Sequence, residues 1–254
     1  MARKPSLSPT RITTYLACPS KYRWTYVDGR GRYYLRSKHY YSFGSSLHKV
    51  LERLHDSRDG GVKTVDQVVA ALEESWIDAG YGSQQEMQEA MGEGKAILAS
   101  YVERIEESPP AGVTILVEKM LRADLGPFVL IGRVDRVDEW PDGTLEIVDY
   151  KSGRSAISAE EVHHDLAMSC YQILVREGFP DRPVVASILA IRSGTAATAS
   201  LNADELAEFR LSLLELGEII LSRDYDELVP VPNDLCPTCD FLPLCRRHPD
   251  FNLS

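Results

Sequence analysis

The feature that most constrains this chain is a change of period at Pro109-Pro110. Before it, apolar residues recur at helical spacing; after it, β-rich runs take over. Leu47, Val50, Leu51 and Leu54 fall at i, i+3, i+4 and i+7, the stripe of a helix over roughly 43–57. Gly60-Gly61 breaks the chain, and two more helices are expected near 65–79 and 84–107. Beyond the prolines, residues 114–121, 128–139 and 144–151 read as strands, with Pro141-Asp142-Gly143 closing the last two into a tight hairpin. A helix follows at about 158–177, then strands at 184–192 and 195–201. A last helix at 203–222 opens on an Asn202/Glu205 capping box and carries Leu206, Phe209, Leu213, Leu216 and Ile220 on one side. The order of elements predicts an α/β (α+β) chain. At the other end, Ser8 caps a first helix, Pro9 occupies its first position and Leu7 staples onto Ile12. That helix ends near Cys18-Pro19, because a proline disfavours helical geometry before it. Residues 26–41 look irregular or hairpin-like, with turn signals at Asp28-Gly29 and Gly31.

The net charge of −10 excludes a protein coated in basic surface, yet the charge is unevenly spread. Residues 1–49 hold ten Lys or Arg against Asp28 alone, and with them Tyr15, Tyr22, Trp24, Tyr26, Tyr33, Tyr34, Tyr40, Tyr41 and Phe43. Interleaved cations and rings suit a single nucleic-acid strand, which offers phosphates to the cations and base faces to the rings. A solvated basic face over ordinary aromatic packing has the same composition. No apolar run approaches the ~18 residues needed to cross a bilayer. Met1-Ala2-Arg3-Lys4-Pro5-Ser6 has no apolar stretch behind its charges, so a secretory signal is not expected; a reducing cytoplasm is.

Strand periodicity puts Leu145, Ile147, Asp149 and Lys151 on one face, and the hairpin brings Asp135 of the partner strand towards Asp149. Two close carboxylates repel, and a hard divalent cation relieves the repulsion. Such an ion lowers the pKa of a bound water and neutralises a phosphoryl group in transit, with Lys151 placed to orient the water or stabilise the transition state. An isolated Asp-x-Lys is more often a structural salt bridge; the surrounding motifs decide.

Phe43-Gly44-Ser45-Ser46-Leu47-His48-Lys49-Val50-Leu51-Glu52, Gly132-Arg133-Val134-Asp135-Arg136-Val137-Asp138 and Ile147-Val148-Asp149-Tyr150-Lys151-Ser152-Gly153 come in the order found in RecB-like nucleases of the PD-(D/E)XK superfamily, which the chain resembles from Leu7 to Arg246. The resemblance implies a restriction-endonuclease-like fold, a central mixed sheet flanked by helices. One nuclease domain would span 1–254, with a mainly helical part at 1–110, a core at 111–225 and a cysteine-rich tail at 226–254. It implies a Mg2+- or Mn2+-dependent deoxyribonuclease, with exonuclease action on single-stranded DNA ends favoured, in recombination, repair or spacer-acquisition-type processing. Asp135, Asp149 and Lys151 would be catalytic. His48 and the backbone carbonyl of Tyr150 would join Asp135 and Asp149 as metal ligands, and Glu118, Glu52 and Tyr171 would support them. From the residues alone, a histidine beside an apolar stripe is more often structural. There is one departure: Ala167 stands where the family usually carries a Gln four residues before Tyr171, and the adjacent Gln172 cannot point the same way on a helix.

Cys236, Cys239 and Cys245 form Cys-x2-Cys-x5-Cys in a proline-containing tail, a spacing that chelates a soft metal or cluster. A zinc site and unpaired thiols are the other readings, with His248 a substitute ligand; Cys170, mid-helix, reads as a small core residue. The pattern resembles the iron–sulphur subgroup of the family, which includes CRISPR-adaptation nucleases and AddB-type helicase–nuclease subunits. That resemblance implies a 4Fe-4S cluster held by Cys18, Cys236, Cys239 and Cys245, clamping the chain ends together. A rival expectation is a non-catalytic DNA-binding or accessory subunit of a larger DNA-processing complex. No Walker-type glycine loop is present, so the chain is not a helicase by itself.

Overall fold

In the computed structural model the described residues are 4–56, 61–153 and 156–252; Gly60, half of the expected chain break, lies outside them. In chain order the elements are β1 (Ser6–Leu7), α1 (Pro9–Ala17), α2 (Pro19–Tyr22), a π-helical turn over Arg23–Val27, α3 (Gly31–Tyr34), α4 (His39–His55), α5 (Val65–Ser75) and α6 (Gln84–Glu107). Then come β2 (Val113–Asp124), β3 (Val129–Glu139), β4 (Leu145–Lys151), α7 (Ala159–His164), α8 (Leu166–Gly178), β5 (Val184–Ala190), β6 (Thr195–Ala199), α9 (Ala203–Ser222), a 3-10 turn at Cys236–Thr238 and α10 (Leu242–Cys245). The mixed α/β architecture, a central mixed sheet with helices, is the one expected.

The chain forms two compact units. One comprises the residues up to Arg36, Asp124–Ile131 and those from Glu208 on; the other comprises Ser37–Ala123 and Gly132–Ala207.

In the larger unit, β3 and β4 are antiparallel, with Arg136 opposite Val148 and Val137 opposite Ile147. β4 and β5 are parallel, with Asp149 opposite Ile188 and Lys151 opposite Ala190. β6 returns antiparallel to β5, and β2 pairs with β3. The hairpin closes where Trp140 N–H donates to Thr144 O at 2.9 Å and Gly143 adopts φ +89°, a value that favours glycine. β4 therefore lies between two strands and is covered on both faces. Val148 and Tyr150 bury against Leu47, Leu51, Leu72 and Leu98 of α4–α6. Leu145 and Ile147 bury with Val137, Val162, Met168 and Val175 on the other face. Strand alternation thus separates Tyr150 from Asp149.

Three expectations need correction. Residues 26–41 are not a hairpin: Asp28 N–H reaches back to Arg23 O at 2.9 Å, closing a π turn, and α3 follows. Gly29, at φ +61°, is the turn that composition signalled, but it joins helical turns. Second, α4 starts at His39 rather than 43, with Lys38 at its N-cap and no side-chain capping bond to announce it. Third, the helix expected at 158–177 is broken at Asp165. Its carboxylate accepts the Met168 N–H at 2.9 Å while its own backbone is extended, so it ends α7 and caps α8.

In the smaller unit, α1 starts as expected: Ser8 accepts from Arg11 N–H at 3.3 Å and Pro9 fills the first turn. Cys18 is extended between α1 and α2, as the following proline requires. β1 pairs in parallel with Val129 and Leu130. Gly217 of α9 faces the fully buried ring of Phe128, and a Cβ there would land on that ring. The two tendencies at this position oppose each other. Gly217→Ala gains about 1 kcal/mol of helix propensity but overpacks a site with nowhere to yield, at a cost of about 1–3 kcal/mol. We expect the variant to be less stable in urea unfolding; an unchanged or raised midpoint would show that α9 shifts freely.

Candidate active site

The site is assembled by α4, β2, β3 and β4 of the larger unit. His48 lies one helical turn before Glu52, on the flank of the buried stripe. Its Nε2 is 3.1 Å from the Tyr150 carbonyl, and its Nδ1 is 3.5 Å from Asp135 Oδ1 and 3.8 Å from Glu118 Oε1. One ligand atom each of His48, Glu118 and Asp135 fall within 4.8 Å of one another. The second oxygen of Asp135 accepts the Tyr150 backbone N–H at 2.8 Å, which fixes the carboxylate against β4. Asp149, 6% exposed, faces Lys151 Nζ at 2.6 Å.

An imidazole, two carboxylates and a nearby carbonyl form a donor set that suits a hard divalent cation. The position of Glu118 is the unexpected part. The sequence motifs suggest a supporting residue, whereas its carboxylate lies in the same small volume as the His48 ring and the Asp135 carboxylate. Its backbone is at φ +45°, the left-handed region, although it is neither glycine nor in a turn. No sequence pattern signals that strain. Arg133 Nη1 approaches the other Glu118 oxygen at 3.5 Å. Glu52 lines the same cavity, of about 540 Å3, together with Tyr40, Tyr41, Lys49 and Ser152. Tyr171 sits on α8, where burial and then the Asp149 and Asp135 carboxylates raise its hydroxyl pKa. Its ring and Leu174 leave room for no side chain at Gly132, where a Cβ would come within 3.0 Å of Tyr171 Cε1 and 2.7 Å of Leu174 Cδ1.

The electrostatics follow from convergence. Burial raises the Asp149 carboxyl to about 6, against the opposing Lys151 ammonium and with help from the Asp135 charge. Burial alone would discharge His48, but the carboxylates of Asp135 and Glu118 outweigh it and hold the ring up to about 10. The Lys151 ammonium is likewise disfavoured by burial and restored by Asp149.

Behind the site, Tyr150 sends its side chain into a buried network. Arg136 Nη1 donates to Tyr150 Oη at 2.6 Å and to Tyr101 Oη at 2.9 Å, His55 Nε2 lies 2.8 Å from both Arg136 Nη1 and Tyr101 Oη, and Arg136 Nε pairs with Asp138 Oδ2 at 3.0 Å. Gln172 is also structural: 1% exposed, it accepts the Leu201 N–H at 2.9 Å.

Cys18, Cys236, Cys239 and Cys245 all belong to the smaller unit, and the first three act electrostatically on the thiol of Cys245, which burial raises. Cys18 Sγ accepts the Lys21 N–H at 3.4 Å and Cys236 Sγ the Asn233 N–H at 3.3 Å. Asn233 Nδ2 donates to Ala17 O at 3.1 Å, tying the tail to the end of α1. Cys170 is fully buried in α8, and burial raises its thiol.

A family model described as "PD-(D/E)XK nuclease superfamily" matches residues 6–246. No curated protein matches the chain. Among solved structures, SSO0001 is 13% identical with a TM-score of 0.40, over 97% of this chain and 88% of that one. A protein from Eubacterium rectale described as "Putative exonuclease" is 14% identical with a TM-score of 0.38, over 87% of this chain and 95% of that one.

The network behind the site predicts a pH dependence of stability. Burial and then the Arg136 cation hold the His55 ring down to about 3, against about 6.5 in an unfolded chain. Between those values the unfolded chain binds a proton that the folded chain refuses. The contribution of His55 is therefore complete above about pH 6.5 and is lost as pH falls towards 3, at up to about 1.4 kcal/mol per pH unit. Urea titrations between pH 7 and 4 should show a steeper loss for the wild type than for His55→Gln; equal slopes would refute the assignment.

Proposed function

The chain belongs to the PD-(D/E)XK nuclease superfamily, and from that premise we propose that it is a divalent-metal-dependent deoxyribonuclease, an exonuclease acting on single-stranded ends. The observation that carries the reading is the meeting of His48, Glu118 and Asp135 in one cavity, with the buried Asp149 and its exposed partner Lys151 alongside. His48, Asp135, Asp149 and the Tyr150 carbonyl are the proposed ligands of Mg2+ or Mn2+, with Glu118 beside them. Such an ion, when bound, acidifies a water and offsets charge on the phosphoryl group. Asp135 keeps its carboxylate oriented through the Tyr150 N–H. Lys151, held as an ammonium by Asp149, offers a fixed positive charge where the phosphoryl group gains negative charge. Arg133, 61% exposed, presents a cation at the cavity for the strand's phosphates. A non-catalytic module would have no use for two buried or half-buried charge pairs that each cost desolvation.

The gathered cysteines, with N–H donors on two of the sulphurs, support a 4Fe-4S site built from Cys18, Cys236, Cys239 and Cys245. When bound, the cluster would bridge thiolates from both ends of the chain. The setting we favour is cytoplasmic DNA processing, such as repair, recombination or spacer acquisition, with protein partners in that machinery. Among the described residues, no helix is long and apolar enough to cross a membrane.

Two measurements test this. With end-labelled single strands and Mn2+, purified protein should shorten the strand. Asp149→Asn and Lys151→Ala should each lower the rate by about a hundredfold or more; wild-type rates in both would overturn the mechanism. Separately, anaerobically purified protein should be brown, with about four irons and four sulphides per chain. Stoichiometric zinc without iron would overturn the cluster and leave the nuclease reading intact.

A further inference from the structure

Tyr40 and Tyr41 open α4 at the mouth of the cavity that holds His48, Glu118 and Asp135. They are 54% and 67% exposed, and their ring centroids are 4.5 Å apart. Neither hydroxyl is hydrogen-bonded among the described residues; the two rings meet each other, and His39 meets Tyr40 edge-on at 5.5 Å, but both stand largely in solvent. Tyr41, Ser45, His48 and Glu52 lie at i, i+4, i+7 and i+11, along one face of the helix. The stretch between the rings and His48 is floored by the small residues Gly44 and Ser45. A side chain on Gly44 would begin 3.1 Å from Ser152 Oγ, narrowing this floor. From Tyr41 to His48 the rise is about 10 Å along the axis, the length of about three stacked nucleotides at ~3.4 Å each. Lys49, exposed beside His48, has no acidic partner among the described residues, and Arg133 is the second cation on the cavity wall.

We propose that Tyr40 and Tyr41 are a base-stacking platform that selects unpaired DNA, holding bases a few nucleotides from the phosphate presented to the metal group while Lys49 and Arg133 take the backbone charge. The inference rests on the nuclease reading for the identity of the ligand. Its chemistry is specific to unpaired strands: aromatic rings grip base faces, and inside a duplex those faces are covered by neighbouring base pairs. The cations alone would accept either form, because phosphates are common to both.

The test is a cycle between ring and base, read as binding in EDTA so that no cleavage intervenes. The probes are a short labelled oligodeoxythymidine and a strand of equal length made of abasic deoxyribose phosphates. The variant is Tyr40→Ala/Tyr41→Ala; both positions are exposed and alanine is a better helix former, so circular dichroism should be unchanged. We expect the variant to bind oligodeoxythymidine about tenfold or more weakly than wild type and the abasic strand equally well. Tyr40→Phe/Tyr41→Phe should restore the affinity, since it keeps the rings and loses only the hydroxyls. The wild-type preference for single strand over blunt duplex should shrink in the alanine variant. Equal losses on both strands, or none on oligodeoxythymidine, would overturn the platform. A protein that shows the cycle but cuts nothing in Mn2+ would sink the nuclease reading and leave the platform standing; one that cuts but binds abasic strand as well as oligodeoxythymidine would do the reverse.

Discussion

Three carboxylates converge at the end of one hairpin, and their mutual repulsion is the constraint around which the larger unit is organised. Glu118, Asp135 and Asp149 come from three different strands. Like charges at close range in a half-dry site cannot all persist without compensation. The compensation is distributed: the His48 ring faces two of them, the Lys151 ammonium faces the third, and the Tyr150 N–H takes one oxygen of Asp135. Each of these groups depends on a larger element being in place. His48 requires α4 packed on the face of β4 that carries Tyr150, and Lys151 requires the register of β4 on β5.

Tyr150 is where core and site meet. Its backbone carbonyl and N–H point into the site, while its side chain, 4% exposed, is locked by Arg136. The magnitudes separate this network from ordinary surface pairs. Breaking one partner of a buried charge cluster costs about 3–5 kcal/mol. An exposed pair such as Arg53–Glu74 contributes less than about 1 kcal/mol. Arg136 therefore restrains the site without touching it: the strand that carries Asp149 and Lys151 cannot slip without stranding a guanidinium among apolar side chains.

Much of the fold could be read from the sequence, because many of its elements are set by local rules. α6 and α9 have the expected limits, and capping groups at Ser83 and Asn202 open them. The hairpin closes at the expected turn, and alternation separates Asp149 from Tyr150 as a strand must. What escaped reading depends on tertiary context. Asp165 interrupts a continuous helical pattern because its carboxylate finds a backbone donor, a choice that periodicity cannot see. β1 is two residues long and exists only because Val129 and Leu130 lie beside it. Glu118 takes a left-handed backbone and lies beside His48 and Asp135, neither of which a strand pattern announces. His55 and Arg136 sit within stretches whose apolar neighbours drew attention elsewhere, and their pairing spans 81 positions of sequence.

The departure at Ala167 bears on how the site contacts a strand. In the family pattern a Gln on the helix after the lysine strand would face the same region; here that position carries a methyl group. Gln172 cannot replace it, since its amide oxygen already holds the Leu201 N–H in the core, and withdrawing it would leave that donor unpaired at a cost of about 1–3 kcal/mol. Polar contacts that α8 does not supply must come from the other walls of the cavity. Those walls are α4 and β3, which present Ser45, Lys49 and Arg133 beside the two exposed tyrosines. The loss of a side-chain amide on one helix and the placement of rings and cations on another thus have a common consequence. On the proposed function, recognition would lean on base faces and phosphates, and on the helix that also carries His48.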